Sequence, residues 1–197
     1  MKNLVVILDR AHGSNTPGKQ SPDKKHKEWV WSQHLIDVLS QMLIERDFEV
    51  RFTVTDQYEP GLTVRQKRAD AFPGNKKILL SIHNNAAGMG DKWVDVDGFA
   101  EIYTCKGQTK SDGAAWQIYK CIKEMMPEIK WRVDMSDGDI DKEENFTVLM
   151  GKSYMGILLE WGFQDDKGDI DIIDNENNIS RLCMAITQAM EILNQTL

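Results

Sequence analysis

At 197 residues, 41% hydrophobic and 28% charged, the chain has the size and composition of one ordinary domain that can bury a core without disulfides. Its net charge of −7 excludes a general nucleic-acid binder, which needs a basic face, and does nothing to draw it to an anionic membrane or wall polymer. Cys105, Cys121 and Cys183 include no CxxC pair and read as reduced thiols, not as a disulfide framework or a thiolate metal site.

The chain opens on Met1-Lys2-Asn3 and enters at once the apolar run Leu4-Val5-Val6-Ile7-Leu8. That run is too short for a signal peptide or a membrane span, so the protein is expected to stay where it is made until it is released or exported. The run is the first predicted strand, over 3–8. A helix follows over 28–46, then a strand over 49–54, a helix over 62–71, and strands over 78–82 and 98–104. A helix over 111–126, a weaker strand over 146–149, a strand over 156–160 and a helix over 176–195 complete the series. Strands alternating with helices predict a single α/β domain over 1–197, with a mostly parallel sheet and helices on both faces. Segments 13–27, 86–97 and 132–145, rich in Gly, Asp, Lys and Ser, are predicted loops, and long loops in a compact domain are usually functional or mobile.

Three polar residues follow apolar strands: His12 after Leu4–Leu8, His83 directly after Ile78–Ile82, and Glu160 directly after Gly156–Leu159. Open α/β sheets bind ligands beyond the carboxyl ends of their strands. A fourth residue comes from the first helix, where Glu28, Trp31, Leu35, Leu39, Met42 and Leu43 share one face. Glu28 therefore begins the face that packs on the sheet, where a carboxylate needs a cation or donors. Two imidazoles and a carboxylate make the His₂Glu set of a catalytic zinc, with a fourth position left for water. Glu160, among apolar neighbours that raise its pKa, suits the proton-carrying base. Taken singly, each has a plainer reading. A histidine after a strand can be a satisfied structural one, Glu28 can simply favour the positive end of the helix dipole, and Glu160 can be a hydrogen-bonded structural acid.

At these residues the chain resembles the zinc-dependent N-acetylmuramoyl-L-alanine amidases of the Amidase_3 family, found in autolysins and phage endolysins. The family's Asp-Pro-Gly-His-Gly turn appears as Asp9-Arg10-Ala11-His12-Gly13, and its metal glutamate as Glu28 in His26-Lys27-Glu28-Trp29. Its Ser-Ile-His-Ala-Asn motif appears as Ser81-Ile82-His83-Asn84-Asn85, and its late Glu-x-Gly-Phe motif as Glu160-Trp161-Gly162-Phe163. Thr55-Asp56, Leu62-Thr63-Val64-Arg65 and Arg68-Ala69-Asp70 fall between them at familiar spacing. A subgroup from Bacteroides-like bacteria and their phages is similar in the loops Thr16–Asp23, Asp137–Asp141 and Phe163–Asp166.

The resemblance implies a twisted mixed sheet of about six strands, one Zn²⁺ held by His12, Glu28 and His83, and Glu160 as the catalytic carboxylate. It implies cleavage of the amide joining the lactyl group of N-acetylmuramic acid to L-alanine, in peptidoglycan or muropeptides; beside it, Asn85 and Asp139 are the expected substrate contacts. Arg10-Ala11 stands in place of Pro-Gly and Ser14 in place of the second Gly, which alters the stiffness of the turn carrying His12. Met150 stands where many relatives carry Arg. Two alternatives keep the fold: a zinc peptidase or carboxypeptidase acting on wall peptides, and a wall-binding protein without turnover.

Asp137-Gly138-Asp139-Ile140-Asp141 matches half a calcium loop, but Lys142 occupies the sixth position, so it reads as a solvated acidic loop or the wall of a substrate groove whose acids complement stem-peptide amines. His26, in a Lys-rich loop, reads as solvated, and His34 falls on the flank of its helix away from the core.

Overall fold

In the computed structural model, which describes residues 3–197, the chain runs β1 (Leu4–Arg10), α1 (Glu28–Ile44), β2 (Glu49–Phe52), α2 (Leu62–Ala71), β3 (Lys76–Asn85) and β4 (Ala100–Thr104). It continues through α3 (Lys110–Met125), β5 (Lys142–Glu143), a 3₁₀ turn (Thr147–Leu149), β6 (Met155–Phe163), α4 (Lys167–Ile173) and α5 (Glu176–Thr196). The strands form a six-stranded mixed sheet in the order β2-β1-β3-β6-β4-β5. Neighbours are parallel except β4 and β6, which run antiparallel.

β1 shows how an unbroken apolar run builds this architecture. All seven of its residues are buried, and alternate side chains enter different cores. Leu4, Val6 and Leu8 join Leu35 and Leu39 of α1, Ile118 of α3, and Leu182 and Ile186 of α5. Val5 and Ile7 face the other way, onto Leu79, Ala69 of α2 and Tyr154. Helices therefore cover both faces, as predicted. Among the described residues no helix is long and apolar enough to cross a membrane.

The sequence-based boundaries needed three corrections. Residues 147–149 of the weak predicted strand at 146–149 form the 3₁₀ turn instead. Val148 and Leu149 pack on Leu158, and Gly156 approaches so closely that a Cβ there would lie 2.7 Å from the Leu149 Cα. The two-residue β5 and the short α4 were not predicted, though Asp166 caps α4 by accepting from the Gly168 and Asp169 amides. β1, β3 and β6 also extend beyond their predicted ends, so His83 lies within its strand and Glu160 stands three residues before the end of its own.

Of the predicted loops, 86–97 is pinned to the carboxyl end of β6. Asp165 accepts from the Ala87 and Gly88 amides at 3.0 and 2.7 Å, and Asp166 accepts from Val96 at 2.8 Å.

Candidate metal centre

β1, β3 and β6 lie side by side and end together. Arg10 is in register with Ile82 and His83 with Glu160, so the turn leaving β1 puts His12 beside them. α1 brings Glu28 from above. No side chain caps this helix, and its first acid turns inward and is fully buried. Glu28 Oε1 lies 3.0 Å from His83 Nδ1 and 3.5 Å from His12 Nε2. The two imidazoles meet edge to face with centroids 5.1 Å apart. One ligand atom from each of the three residues lies within 4.8 Å of the others. This His/His/Glu cluster can coordinate a metal ion, and its donors suit a divalent cation of zinc's type. The fit shows in the site itself: two ring nitrogens crowd one oxygen of a fully buried carboxylate, a convergence that a cation between them would satisfy.

Glu28 is held from behind. The ladder between β3 and β6 shifts register between His83 and Asn85, and this irregularity frees the Asn84 amide to donate to Glu28 Oε1 at 3.2 Å. Gln164 Nε2 donates to the other oxygen at 3.2 Å. Burial pushes the Glu28 carboxyl up, but the hydrogen bond and charge of His83 outweigh it and hold the group below its ordinary value. For His83, burial pushes down and the hydrogen bond and charge of Glu28 prevail, raising it. Burial wins at His12, whose pKa falls despite Glu28.

His12 adopts a left-handed backbone (φ +45°), a strained conformation for a side-chain-bearing residue, while Ser14 keeps an ordinary φ. Arg10 supplies the brace that Pro-Gly would otherwise provide as stiffness. Its guanidinium donates twice to the His12 carbonyl (3.2 and 3.0 Å), to Asp56 O (2.9 Å) and to Gln33 Oε1 (3.1 Å). Gly13 is required because any Cβ there would sit 2.3 Å from the Glu59 nitrogen. Glu59 faces the outer ring nitrogen of His12, with Oε2 3.4 Å from Nδ1. It is itself held by Thr16 and by Arg65, and Arg65 is buried against Asp9 at 3.2 Å.

Glu160 continues the row. It pairs with His83 on one side and Glu101 on the other, and its Oε2 is buried without a hydrogen-bond partner. Burial, with smaller contributions from Glu28 and Glu101, pushes its pKa up to about 7 against the pull of His83. Asn85 lies two residues beyond His83 with both ends of its amide engaged: Nδ2 donates to Glu101 at 2.9 Å and Oδ1 accepts from the Ala86 amide at 2.8 Å.

Asp139 is not brought to this cluster. It faces Gln108 at 3.3 Å and lines a cavity of about 440 Å³ with Thr109, Trp116 and Met135. Because β4 runs antiparallel to β6, the segment that follows β4 lies at the end of the sheet away from Glu160. Nor is the acidic loop simply solvated. Asp141 is buried against Thr104 Oγ1 at 2.6 Å, and desolvation with nearby Asp139 and Asp112 raises its pKa to about 6. Met150 is also remote: it ends the 3₁₀ turn beside Gly156, and Glu160 stands four residues further along β6, roughly 13 Å away. It is too distant to orient Glu160.

His26 reverses its predicted exposure. It is 3% exposed, with Nδ1 2.8 Å from Asp174 and Nε2 3.0 Å from Asn84 Oδ1. His34 is on the surface and meets Glu176, as its helical position predicts. Sequence reasoning missed Arg10, Glu59, Glu101 and Gln164. For Glu101 a signal was present, a charge between the strand residues Ala100 and Ile102.

Comparison with known proteins places this geometry. The chain matches the Amidase_3 profile, N-acetylmuramoyl-L-alanine amidase, over residues 6–192. No curated protein sequence matches significantly. Among solved structures it is similar to an N-acetylmuramoyl-L-alanine amidase from Clostridium difficile 630, with 23% identity and a TM-score of 0.84 over 100% of this chain and 99% of that one. The catalytic domain of CwlV, an N-acetylmuramoyl-L-alanine amidase from Bacillus (Paenibacillus) polymyxa var. colistinus, gives 22% identity and a TM-score of 0.78 over 98% and 99% of the two chains. The amidase AmiC2 of Nostoc punctiforme gives 20% and 0.78 over 98% of each. These structures share the fold. The profile match over nearly the whole chain, together with a metal-capable His/His/Glu cluster, shows that the protein belongs to the Amidase_3 family of N-acetylmuramoyl-L-alanine amidases, enzymes that hydrolyse an amide bond of peptidoglycan.

Proposed function

We propose that His12, Glu28 and His83 hold a single zinc ion and that Glu160 carries the proton in cleavage of the amide between the muramic lactyl group and L-alanine. The observation that supports this most strongly is the unpartnered, buried Glu160 Oε2 beside His83, in a residue poised to change protonation near neutrality. When bound, the ion supplies Lewis acidity, polarising a carbonyl and making a water molecule more acidic. Glu160 Oε2 would accept a proton from the attacking water as the new C–O bond forms, then return it to the nitrogen as the C–N bond breaks. Glu59 orients the His12 ring through Nδ1, and Gln164 with the Asn84 amide fixes the Glu28 carboxylate. Asn85 serves the substrate side by holding Glu101, since both ends of its own amide are engaged.

The substrate is peptidoglycan or its muropeptides, and the site of action is the cell wall. The loops Thr16–Asp23 and Phe163–Asp166 support a place among the amidases of Bacteroides-like bacteria and their phages. The bracing of His12 by Arg10 speaks against a wall-binding protein that has lost turnover through its altered turn.

Digestion of purified peptidoglycan by the zinc-loaded protein tests the reading. Mass spectrometry should find intact stem peptides beginning with L-alanine. Release of carboxyl-terminal residues alone would mark a carboxypeptidase, and equal wall clearing by wild type and Glu160→Ala would mark a binding protein.

A further inference from the structure

β4 carries Glu101 at an inward position where it is 2% exposed. Its Oε1 accepts from Arg132 Nε at 2.6 Å and Lys142 Nζ at 2.8 Å, and its Oε2 accepts from Tyr103 OH at 2.7 Å and Asn85 Nδ2 at 2.9 Å. Burial pushes the carboxyl up, but Lys142, Tyr103 and Arg132 together outweigh it and keep the group ionised. Two cations share this one acid, and the Asp97 carboxylate, whose charge also reaches Arg132, is paired with Lys130.

Arg132 and Lys142 are held, not merely present. Arg132 Nη1 donates to Asp97 O at 2.8 Å, and the guanidinium lies 5.2 Å over the Phe163 ring. The Lys142 ammonium stands 5.8 Å from the Tyr103 ring centre. Asp134, whose charge reaches Lys142, is half-buried and accepts from the Ser136 amide at 2.9 Å. Both cationic side chains keep an exposed portion, 37% for Arg132 and 26% for Lys142. Among the described residues Arg132 Nη2 makes no hydrogen bond, and Lys142 Nζ makes only the one to Glu101. In a chain of net charge −7, this is a spot where two fixed cations keep donors open to solvent.

Register places the spot relative to the metal cluster. His83 of β3, Glu160 of β6 and Glu101 of β4 form one row across the sheet, and Arg132 and Lys142 come from segments on the outer edge of β4. Strands are spaced about 4.8 Å apart, so the cations gather around a carboxylate roughly 10 Å from His83. That is the reach of about three residues of extended peptide. A glycan strand has no free carboxylate once its lactyl group is amidated, whereas the stem peptide does.

We propose that Arg132 and Lys142 form a carboxylate-binding subsite for the stem peptide, two or three residues from the scissile amide. The peptide then crosses β6 and β4, and the sugar lies on the β1 side, over His12 and Glu59. The proposal rests on the amidase reading but is tested without turnover.

Calorimetric titration of the zinc-loaded protein with L-alanyl-D-isoglutamyl-L-lysine and with the same tripeptide in which both carboxylates are amides (D-isoglutamine and L-lysinamide) reads the subsite directly. Wild type should prefer the free carboxylate by about tenfold or more, the range of a charge-assisted hydrogen bond. Arg132→Gln and Lys142→Met should each bring the ratio toward one, and added salt should shrink it. Equal affinities in wild type, or a preference that survives both substitutions, overturn the proposal. Peptidoglycan cleavage is scored separately. Cleavage without the preference leaves the amidase reading standing and removes the subsite, while the preference without cleavage does the reverse.

Discussion

His83 and Glu160 are register partners on the adjacent parallel strands β3 and β6, so a ring facing the Glu28 carboxylate and a carboxyl that titrates near neutrality share one face of the sheet. Regular strand spacing places His83 of the metal-capable cluster and Glu160, the proposed proton carrier, about 4.8 Å apart at the backbone, with no special loop needed.

Glu160→Gln should lower kcat for muropeptide cleavage by about 10²–10⁴-fold, the usual weight of a positioned acid–base group. Bound zinc, measured on the same protein, should stay at the wild-type level. Wild-type turnover in this variant would assign the proton transfer to another residue.

Glu160 also makes a pH signature in the metal-free protein. Its folded pKa of about 7 lies above its ordinary value, so folding favours the protonated form. The associated stability is complete below about pH 4.5 and is lost as pH rises through about 7, a change of about 3 kcal/mol. Asp141 and Asp169, both raised to about 6, add slopes of the same sign. Urea unfolding of metal-free wild type and Glu160→Gln across this range isolates the Glu160 share: the variant should show the shallower decline.

Chelation should destabilise the zinc-loaded enzyme by mass action, by about 4 kcal/mol if zinc had been present at a thousandfold above its Kd. The melting temperature should fall when a chelator is added and recover when zinc is returned. His83→Ala should melt at one temperature with or without chelator. A variant still responding like wild type would remove His83 from the ligand set.

Arg10→Ala strips three donors from two backbone carbonyls around a strained His12. A loss of about 1–3 kcal/mol in stability is expected from carbonyls left without partners. Zinc affinity should weaken by about 10–100-fold, as for residues that orient a ligand from behind. Competition with a fluorescent zinc chelator checks the second figure.

His26 joins the loop before α1 to Asp174 after α4 and to Asn84 beside the metal cluster. His26→Ala and Asp174→Asn should each destabilise the fold, with a coupling of about 0.5–3 kcal/mol in a double-mutant cycle. Additive effects would show that the two side chains do not act together.

Much of this protein is written in local pattern. The unbroken apolar run of Leu4–Leu8 announces a strand buried on both sides, the helical spacing of Trp31, Leu35 and Leu39 announces a helix lying on a sheet, and the residues that close the cluster sit at strand and helix ends where such patterns stop. Only the tertiary structure decided the rest. The antiparallel direction of β4 carries Gln108, which Asp139 faces, to the far end of the sheet and sets Glu101 beside Glu160, and close packing on Gly156 turns 147–149 into a 3₁₀ turn. Buried His26 pairs with an acid 148 residues away, and Glu101 with an arginine 31 residues on. Those pairings follow from strand order and direction, which are set by the packing of the whole chain and are not encoded in any local stretch of sequence.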